Sequence, residues 1–317
     1  MGQLGLSGVV YAQYDPQRAL ALCEEALRHY RDAGDAAGLA RAADHAACIV
    51  VQTDDPDRLA RSIDTALAAL DALGDAPWAR RATSHVRHYA AIAAAHRGDL
   101  DEAERIIRAV VEEQTRLARE EGAEHLYACW ALWESAAVAY WRGDVATALG
   151  RFQAALASAR MVRELRGMAW SMAGIASILV EADRVAAAAW LLGATETFCD
   201  RSGLDFQNEI WERQHAFQRA VDLPAGWQSG DEPAATDGTV RPPIADPDLA
   251  RFWSAGREAT IDDAIAVALA ADLTQPSAVP LLTAAIAAKD NGLTKRERDV
   301  LVLLGQRLTD PQIAARL

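Results

Sequence analysis

Apolar residues recur along the first 222 residues at the spacing of one helix face, and the pattern itself repeats about every 40 residues. Each repeat opens with an aspartate. A small or apolar residue follows four positions later, a larger one follows eight positions later, and an apolar pair follows at positions eleven and twelve. These spacings keep one side of a single helix apolar, so each repeat contains an amphipathic helix. The opening aspartates are separated by 40, 44, 45 and 39 residues: Asp15, Asp55, Asp99, Asp144 and Asp183.

The aspartates and the alanine content predict how the helices start and how they pack. A carboxylate at a helix N-terminus accepts a hydrogen bond from an otherwise unpaired backbone N–H and is favoured by the helix dipole. We therefore expect a helix to begin after each aspartate. Alanine, the best helix former, dominates the apolar content and predicts an all-α protein. Helix pairs of this length cannot bury their apolar faces alone, so we expect them to stack as an α-solenoid over residues 1–222.

The repeating unit resembles the tetratricopeptide repeat. Its best copy is Leu132 to Leu156, in which Gly143, Asp144, Ala148, Phe152, Ala155 and Leu156 fall on the second half of that family's pattern. The copies depart from the family in their longer period, in the missing closing proline and in Ala136, which replaces a glycine. The fifth copy also has Ala194-Thr195 in place of the apolar pair. The resemblance implies helix pairs in an irregular superhelix.

Tryptophans are concentrated in the predicted solenoid. Trp130, Trp133 and Trp141 fall on one helical stripe, and Trp170 lies in a later helix. One hypothesis is an aromatic groove that binds a protein, a peptide or a small effector, since solenoids bind partners on their concave face. The alternative is packing between helices, which is the usual role of an aromatic stripe. These four tryptophans are the candidate groove residues.

The end of the sequence has the pattern of two short capped helices joined by a tight turn. Thr294 with Glu297 and Thr309 with Gln312 each have the spacing of a capping box. Pro311 falls in the first turn of the second helix, where a missing N–H costs little. Two such helices form half of a DNA-binding helix-turn-helix.

This segment resembles the start of the LuxR-type helix-turn-helix. The matching residues are Leu293, Thr294, Arg296, Glu297, Val300, Leu301, Leu303, Leu304, Thr309, Ile313, Ala314 and Leu317. The family pattern continues with a recognition helix that enters the major groove, and the sequence ends before it. The resemblance implies contacts to the DNA backbone from Lys295, Arg296, Thr309 and Gln312. Thr309 and Gln312 are alternatively helix caps only.

A second resemblance lies between these regions. The segment 187–194, with its Leu-Leu-Gly-Ala sequence, and the residues Trp253, Gly256 and Arg257 are similar to segments of large ATP-binding LuxR-type regulators. Residues 223–247 contain five prolines and predict a linker. We therefore expect a solenoid at 1–222, a linker at 223–247, a helical segment and connector at 248–290, and an incomplete helix-turn-helix at 291–317.

Charge and missing motifs exclude several functions. The net charge is −13, but segment 289–317 has six basic against four acidic residues, a net +2 that leaves −15 for the rest. Only this C-terminal segment therefore has the positive charge that binding to nucleic acid requires.

The sequence has no phosphate-binding GxxxxGK motif and no hydrolase or protease signature, so we expect no ATP, no other cofactor and no enzyme activity. Without a long apolar run or a signal peptide, we expect a cytoplasmic protein that makes no membrane contact.

Cysteine and histidine spacing predicts no metal site. The cysteines are far apart and form no CxxC pair, so we expect small buried thiols: Cys23, Cys48, Cys129 and Cys199. His85 and His88 lie one helical turn apart without a third ligand, and we expect ordinary surface or core residues.

Two functions remain. The first is the regulatory solenoid portion of a LuxR-family transcriptional regulator, which binds DNA, as a dimer, only once the missing recognition helix is supplied. The second is a protein-interaction scaffold that does not bind DNA.

Overall fold

A computed structural model describes residues 15–51, 55–74, 77–122, 126–204 and 247–274, which contain eleven helices and no strand. The expected all-α class is confirmed. The predicted linker before residue 247 and the predicted helix-turn-helix lie outside the described residues. The helices are α1 Pro16–Asp32, α2 Ala36–Val50, α3 Pro56–Asp71, α4 Pro77–His96, α5 Leu100–Glu121, α6 Leu126–Trp141, α7 Val145–Val162, α8 Leu165–Glu181, α9 Val185–Ser202, α10 Pro247–Arg257 and α11 Ile261–Leu269.

Four of the five aspartates cap helices as the pattern predicts. Each carboxylate accepts a hydrogen bond from the backbone N–H three residues later, which satisfies one of the unpaired donors of the first turn. The capped helices are α1, α3, α5 and α7. The bonds join Asp15 to Arg18 at 3.0 Å, Asp55 to Arg58 at 2.8 Å, Asp99 to Glu102 at 3.1 Å and Asp144 to Thr147 at 3.1 Å.

The fifth anchor is displaced by one residue. Asp183 has a left-handed φ of 57°, the conformation that Gly98 and Gly143 have in the residue before the capping aspartate. Arg184 occupies the N-cap of α9 and provides no side-chain cap. Asp183 therefore does not cap a helix, because it lies in the turn, where aspartate tolerates a positive φ better than most residues do.

Contacts between Cα atoms divide the described residues into two compact units, one formed by those up to Met168 and the other by those from Ala169 onwards. In the first unit, each of the helices α1 to α6 packs against the helix that follows it, so that the series ends at α7. In addition, α2 packs against α4 and α4 packs against α6, although another helix intervenes in sequence. Helices α2, α4 and α6 therefore form a row, which we call the inner row. This stacking of consecutive pairs is the expected α-solenoid.

The repeat register places its apolar positions in the core. The residues four and eight positions after each of the first four anchors are all buried, and alanine holds three of the positions four residues on. A small side chain lets neighbouring helix axes approach closely. The buried residues are Ala19, Leu59, Ala103 and Ala148 at the fourth position and Cys23, Ile63, Ile107 and Phe152 at the eighth.

The second unit contains a close crossing of α9 and α10 at two glycines. A Cβ placed on Gly193 would lie 2.0 Å from the carbonyl oxygen of Trp253, and one placed on Gly256 would lie 1.9 Å from that of Trp190. No side chain fits at either position. The Leu-Leu-Gly-Ala and Gly-Arg segments noted in the sequence therefore contact each other directly.

In the second unit, Arg257 of α10 makes polar contacts with residues of α9. Its guanidinium lies 2.6 Å from Glu196 and 5.0 Å from the centre of the Trp253 ring, and its carbonyl accepts a hydrogen bond from Thr197 at 3.0 Å. Burial raises the pKa of Glu196, and the charge of Arg257 opposes that shift.

A capping box, with Asp263 N–H donating to the Thr260 hydroxyl at 3.1 Å, starts α11 as its sequence predicts. Among the described helices, none has the length and apolar character that a membrane span needs.

The glycine crossing predicts a large effect of one added methyl group. Gly193→Ala forces the α9 and α10 backbones apart, and we expect a loss of about 1–3 kcal/mol or more of stability. Gly150→Ala is the matched control, because a Cβ there meets nothing within 4 Å in α7 and the substitution should stabilise by about 0.5–1 kcal/mol. Thermal unfolding followed by circular dichroism measures both. Equal melting temperatures for the two variants would contradict the crossing.

Candidate functional site

Polar and aromatic side chains from all three helices of the inner row meet in the first unit. Helix α2 provides an aspartate, α4 provides two histidines and a tyrosine, and α6 provides a tyrosine and a tryptophan. Each of these helices runs beside the next in the row, so residues about 40 positions apart in sequence become neighbours. We call this group the inner-face cluster. It consists of Asp44, His85, His88, Tyr89, Tyr127 and Trp130.

His85 lies at the centre of the inner-face cluster and is 3% exposed. Its Nδ1 lies 2.8 Å from the Asp44 carboxylate, and its Nε2 lies 3.4 Å from the Tyr89 hydroxyl. Its ring stacks on Tyr127, with the centroids 4.1 Å apart and the planes 19° from parallel. Because a carboxylate only accepts, Nδ1–H donates to Asp44, and in the neutral ring Nε2 is left as the acceptor. Asp44 thus fixes both the orientation and the tautomer of His85.

Burial favours the neutral forms of two other side chains in the cluster, His88 and Tyr127. His88 is 4% exposed, and burial, followed by the nearby His85, moves its pKa well below the ordinary 6.5. Its ring centroid lies 4.1 Å from that of Tyr89 and 4.7 Å from that of His85. Burial and then the Asp44 carboxylate raise the pKa of Tyr127. Charging either side chain in this dry setting is unfavourable.

One turn beyond Trp130 on the same face of α6 lies a buried acid, Glu134. It is 6% exposed, and burial raises its pKa to about 8, so the carboxyl is protonated at neutral pH. Within the described residues, its Oε2 has no hydrogen-bond partner, and the buried Nε1 of Trp130 has none either. Buried polar atoms almost always have a partner, and an unpaired one costs about 1–3 kcal/mol. Among the described residues, the indole N–H of Trp130 and one carboxyl oxygen of Glu134 therefore remain unsatisfied, one helical turn apart on the inner row.

The structure places the four predicted tryptophans in different surroundings. Trp130 belongs to the inner-face cluster, and Trp141 lies on the same face of α6, where it packs against a core cluster that includes Ile107. Trp133 is buried, and its ring meets Phe152 of α7 edge-on at 6.4 Å. Trp170 lies on α8 within the second unit. Lys295, Arg296, Thr309 and Gln312, the predicted DNA contacts, lie outside the described residues.

Sequence reasoning missed most of the inner-face cluster. His85 and His88 were expected to be ordinary residues, and Asp44, Tyr127 and Glu134 were not selected. A signal for Glu134 was present, because it is the one acidic residue in α6 and falls on the stripe of Trp130 and Trp141. The cysteine prediction holds for Cys23, Cys129 and Cys199, which are buried, whereas Cys48 is half-buried.

Comparison with known proteins adds no assignment. Neither a protein-family model nor a curated protein sequence matches the chain. The chemistry of the site therefore rests on the described residues themselves.

The raised pKa of Glu134 predicts a pH-dependent loss of stability. Folding shifts this pKa from about 4.5 to about 8, so the favourable contribution is complete below pH 4.5 and is lost as the pH rises towards 8. At ~1.4 kcal/mol per pKa unit, the loss amounts to roughly 5 kcal/mol. Glu134→Gln, which cannot ionise, should remove this part of the slope in urea unfolding between pH 5 and pH 8.

An exposed glutamate provides the control for that experiment. Glu112 lies on the solvent side of α5, so Glu112→Gln should keep the native slope. Parallel pH profiles for native protein and the Glu134 variant would show that the carboxyl is hydrated or paired in solution, contrary to the structure.

Proposed function

We propose that the chain is the regulatory portion of a LuxR-type transcriptional regulator, in which the inner row of the first unit binds an effector. The sensing role rests chiefly on one observation: within the described residues, a buried Glu134 carboxyl oxygen and the buried Trp130 N–H, one helical turn apart, both lack a hydrogen-bond partner. A ligand that accepts a hydrogen bond from the indole and exchanges one with the carboxyl satisfies both groups. Such a ligand therefore stabilises the stacked helices that it contacts. A protein whose stability depends on an effector has the basic property of a sensor.

Two sequence features support the regulatory part of the proposal. The pattern at 293–317 resembles the first half of a LuxR-type helix-turn-helix, and it lies in segment 289–317, which has a net charge of +2 against −15 for the rest of the chain. The Leu-Leu-Gly-Ala and Gly-Arg segments, which resemble those of large LuxR-type regulators, meet at the glycine crossing. In this proposal the DNA-binding residues are Lys295, Arg296, Thr309 and Gln312.

The chemistry of the inner-face cluster favours binding over catalysis. His85 and Asp44 resemble the oriented base of a hydrolase, which acts on a neighbouring nucleophile. In the part of the chain that the structure describes, His85 makes no hydrogen bond to a serine hydroxyl or a cysteine thiol. Aromatic rings surround it instead, as in sites that hold a ligand without transforming it. We therefore assign the cluster a binding role and the chain no enzyme activity.

DNA selection tests the regulatory proposal. The protein should be produced as residues 1–317 and, if the gene continues past Leu317, also as that longer chain, and each form should be offered a pool of random DNA. We expect the longer form to enrich one sequence and to lose affinity steeply with added salt, because it supplies the recognition helix. Residues 1–317 should bind about a thousandfold more weakly and without preference.

The outcomes separate the two functions. A stop codon directly after Leu317, or a longer form that selects no sequence, would favour the scaffold alternative, in which partners are proteins alone. Nanomolar, sequence-specific binding by residues 1–317 would contradict the need for a further helix. Residues 1–274, which lack the tail, serve as the control for binding by the acidic body.

A further inference from the structure

A cavity of about 550 Å³ opens in the first unit between the C-terminal end of α3, the middle of α4 and α5. Ligand pockets in proteins usually have volumes of about 300–1,000 Å³, so the cavity is large enough for a small molecule. Leu67 and Leu70 provide an apolar side, and Arg80, Ser84 and Arg87 provide a polar one. This cavity contains no residue of the inner-face cluster.

The polar side of the cavity is one face of α4. Arg80, Thr83, Ser84 and Arg87 have the spacing of three, four and seven residues that places side chains along one stripe. At 1.5 Å per residue, the two arginine positions are ~10 Å apart along the helix, with the serine between them. His85 is one residue on from Ser84 and therefore points about 100° away around the helix. The two sites lie on different faces of α4.

Two polar atoms at the cavity have no partner in the part of the chain that the structure describes. Ser84 is 1% exposed and its Oγ is unpaired, and the buried Nε of Arg80 is unpaired as well. A serine or threonine in a helix commonly donates to the carbonyl four residues earlier, as Thr83 does to Ala79 at 2.9 Å. Ser84 does not. A hydroxyl and a guanidinium N–H that both lack an acceptor indicate a ligand that supplies acceptor oxygens.

The charges around the cavity favour an anionic group. Glu113, which faces the cavity from α5, is engaged by Arg116, whose Nε donates to its carboxylate at 2.9 Å. Arg80 has only a long ion pair of 3.8 Å with Glu120. Arg87 is exposed and forms no ion pair within the described residues. Asp71 is the remaining acid at the cavity, at the end of α3 away from Arg87.

We propose that this cavity binds a small organic carboxylate whose apolar body lies against Leu67 and Leu70 and whose oxygens accept hydrogen bonds from Arg80, Ser84 and Arg87. Guanidinium groups match the two oxygens of a carboxylate, and the buried hydroxyl adds a third donor. The apolar side excludes a bare inorganic anion, which would gain nothing from the two leucines. Asp71 attracts an ammonium group, so a ligand with an ammonium beside its carboxylate tests whether the ligand also reaches Asp71. The site does not depend on the proposed regulatory function.

Three probes that share an isobutyl group test the chemistry: 4-methylpentanoate, leucine and 3-methylbutylamine. Calorimetric titration of residues 1–317 should show saturable binding of 4-methylpentanoate and no binding of the amine, which lacks the carboxylate. Tighter binding of leucine than of 4-methylpentanoate would place an ammonium at Asp71, and weaker binding would make the ligand a simple carboxylate. Both results support a carboxylate site. No binding of either carboxylate at millimolar concentration, or equal binding of the amine, would overturn the proposal.

Variants locate the binding to the cavity. Ser84→Ala removes one buried hydroxyl and should weaken carboxylate binding about tenfold while leaving the fold intact, because it also removes an unpaired polar atom. Arg87→Gln, an exposed substitution, should weaken binding by a similar factor. Arg28→Gln, on the exposed face of α1, is the control and should leave affinity unchanged. Equal affinity in all four proteins would show that the ligand binds elsewhere and would overturn the assignment.

Discussion

The close approach of helix backbones is the constraint on which both units depend. In the first unit, alanines such as Ala19, Ala103 and Ala148 occupy the contact positions and are fully buried. In the second unit, the contact is tighter still, and Gly193 and Gly256 place backbone against backbone. Small contact residues bury little apolar area each, so the stability of such a protein comes from many close contacts rather than from a few large side chains.

This packing has a functional consequence, because it brings together polar residues that are distant in sequence. Asp44 and His85 are 41 residues apart and hydrogen-bonded, since α2 and α4 are neighbours in the inner row. Helix α6 adds the Tyr127 ring on one side of His85. The same helix holds Glu134 away from water without providing a partner for it. A solenoid thus brings single residues of successive repeats together on one face.

The local features of the fold were predictable from sequence, and the site was not. Asp99 and Asp144 start helices because a cap depends only on the next three residues. Asp183 misled the same reasoning, because aspartate suits both a cap and a left-handed turn, and the backbone conformation decides between them. The burial of Glu134 and the pairing of Asp44 with His85 depend on which helices become neighbours. Periodicity alone does not determine that, and the irregular spacing of the repeats makes the register between helices harder to infer.

The proposed effector site depends most on the buried Glu134 carboxyl of the inner row, one of whose oxygens lacks a partner among the described residues, and a titration observes that group directly. Carbon-13 NMR of the chain labelled at glutamate side-chain carboxyls reports the protonation of each group with pH. We predict one resonance that titrates near pH 8, far above the ordinary 4.5, and that disappears in Glu134→Gln. If every glutamate titrates within about one unit of 4.5, Glu134 is hydrated or paired in solution, and the inner row has no unsatisfied acid for an effector to bind.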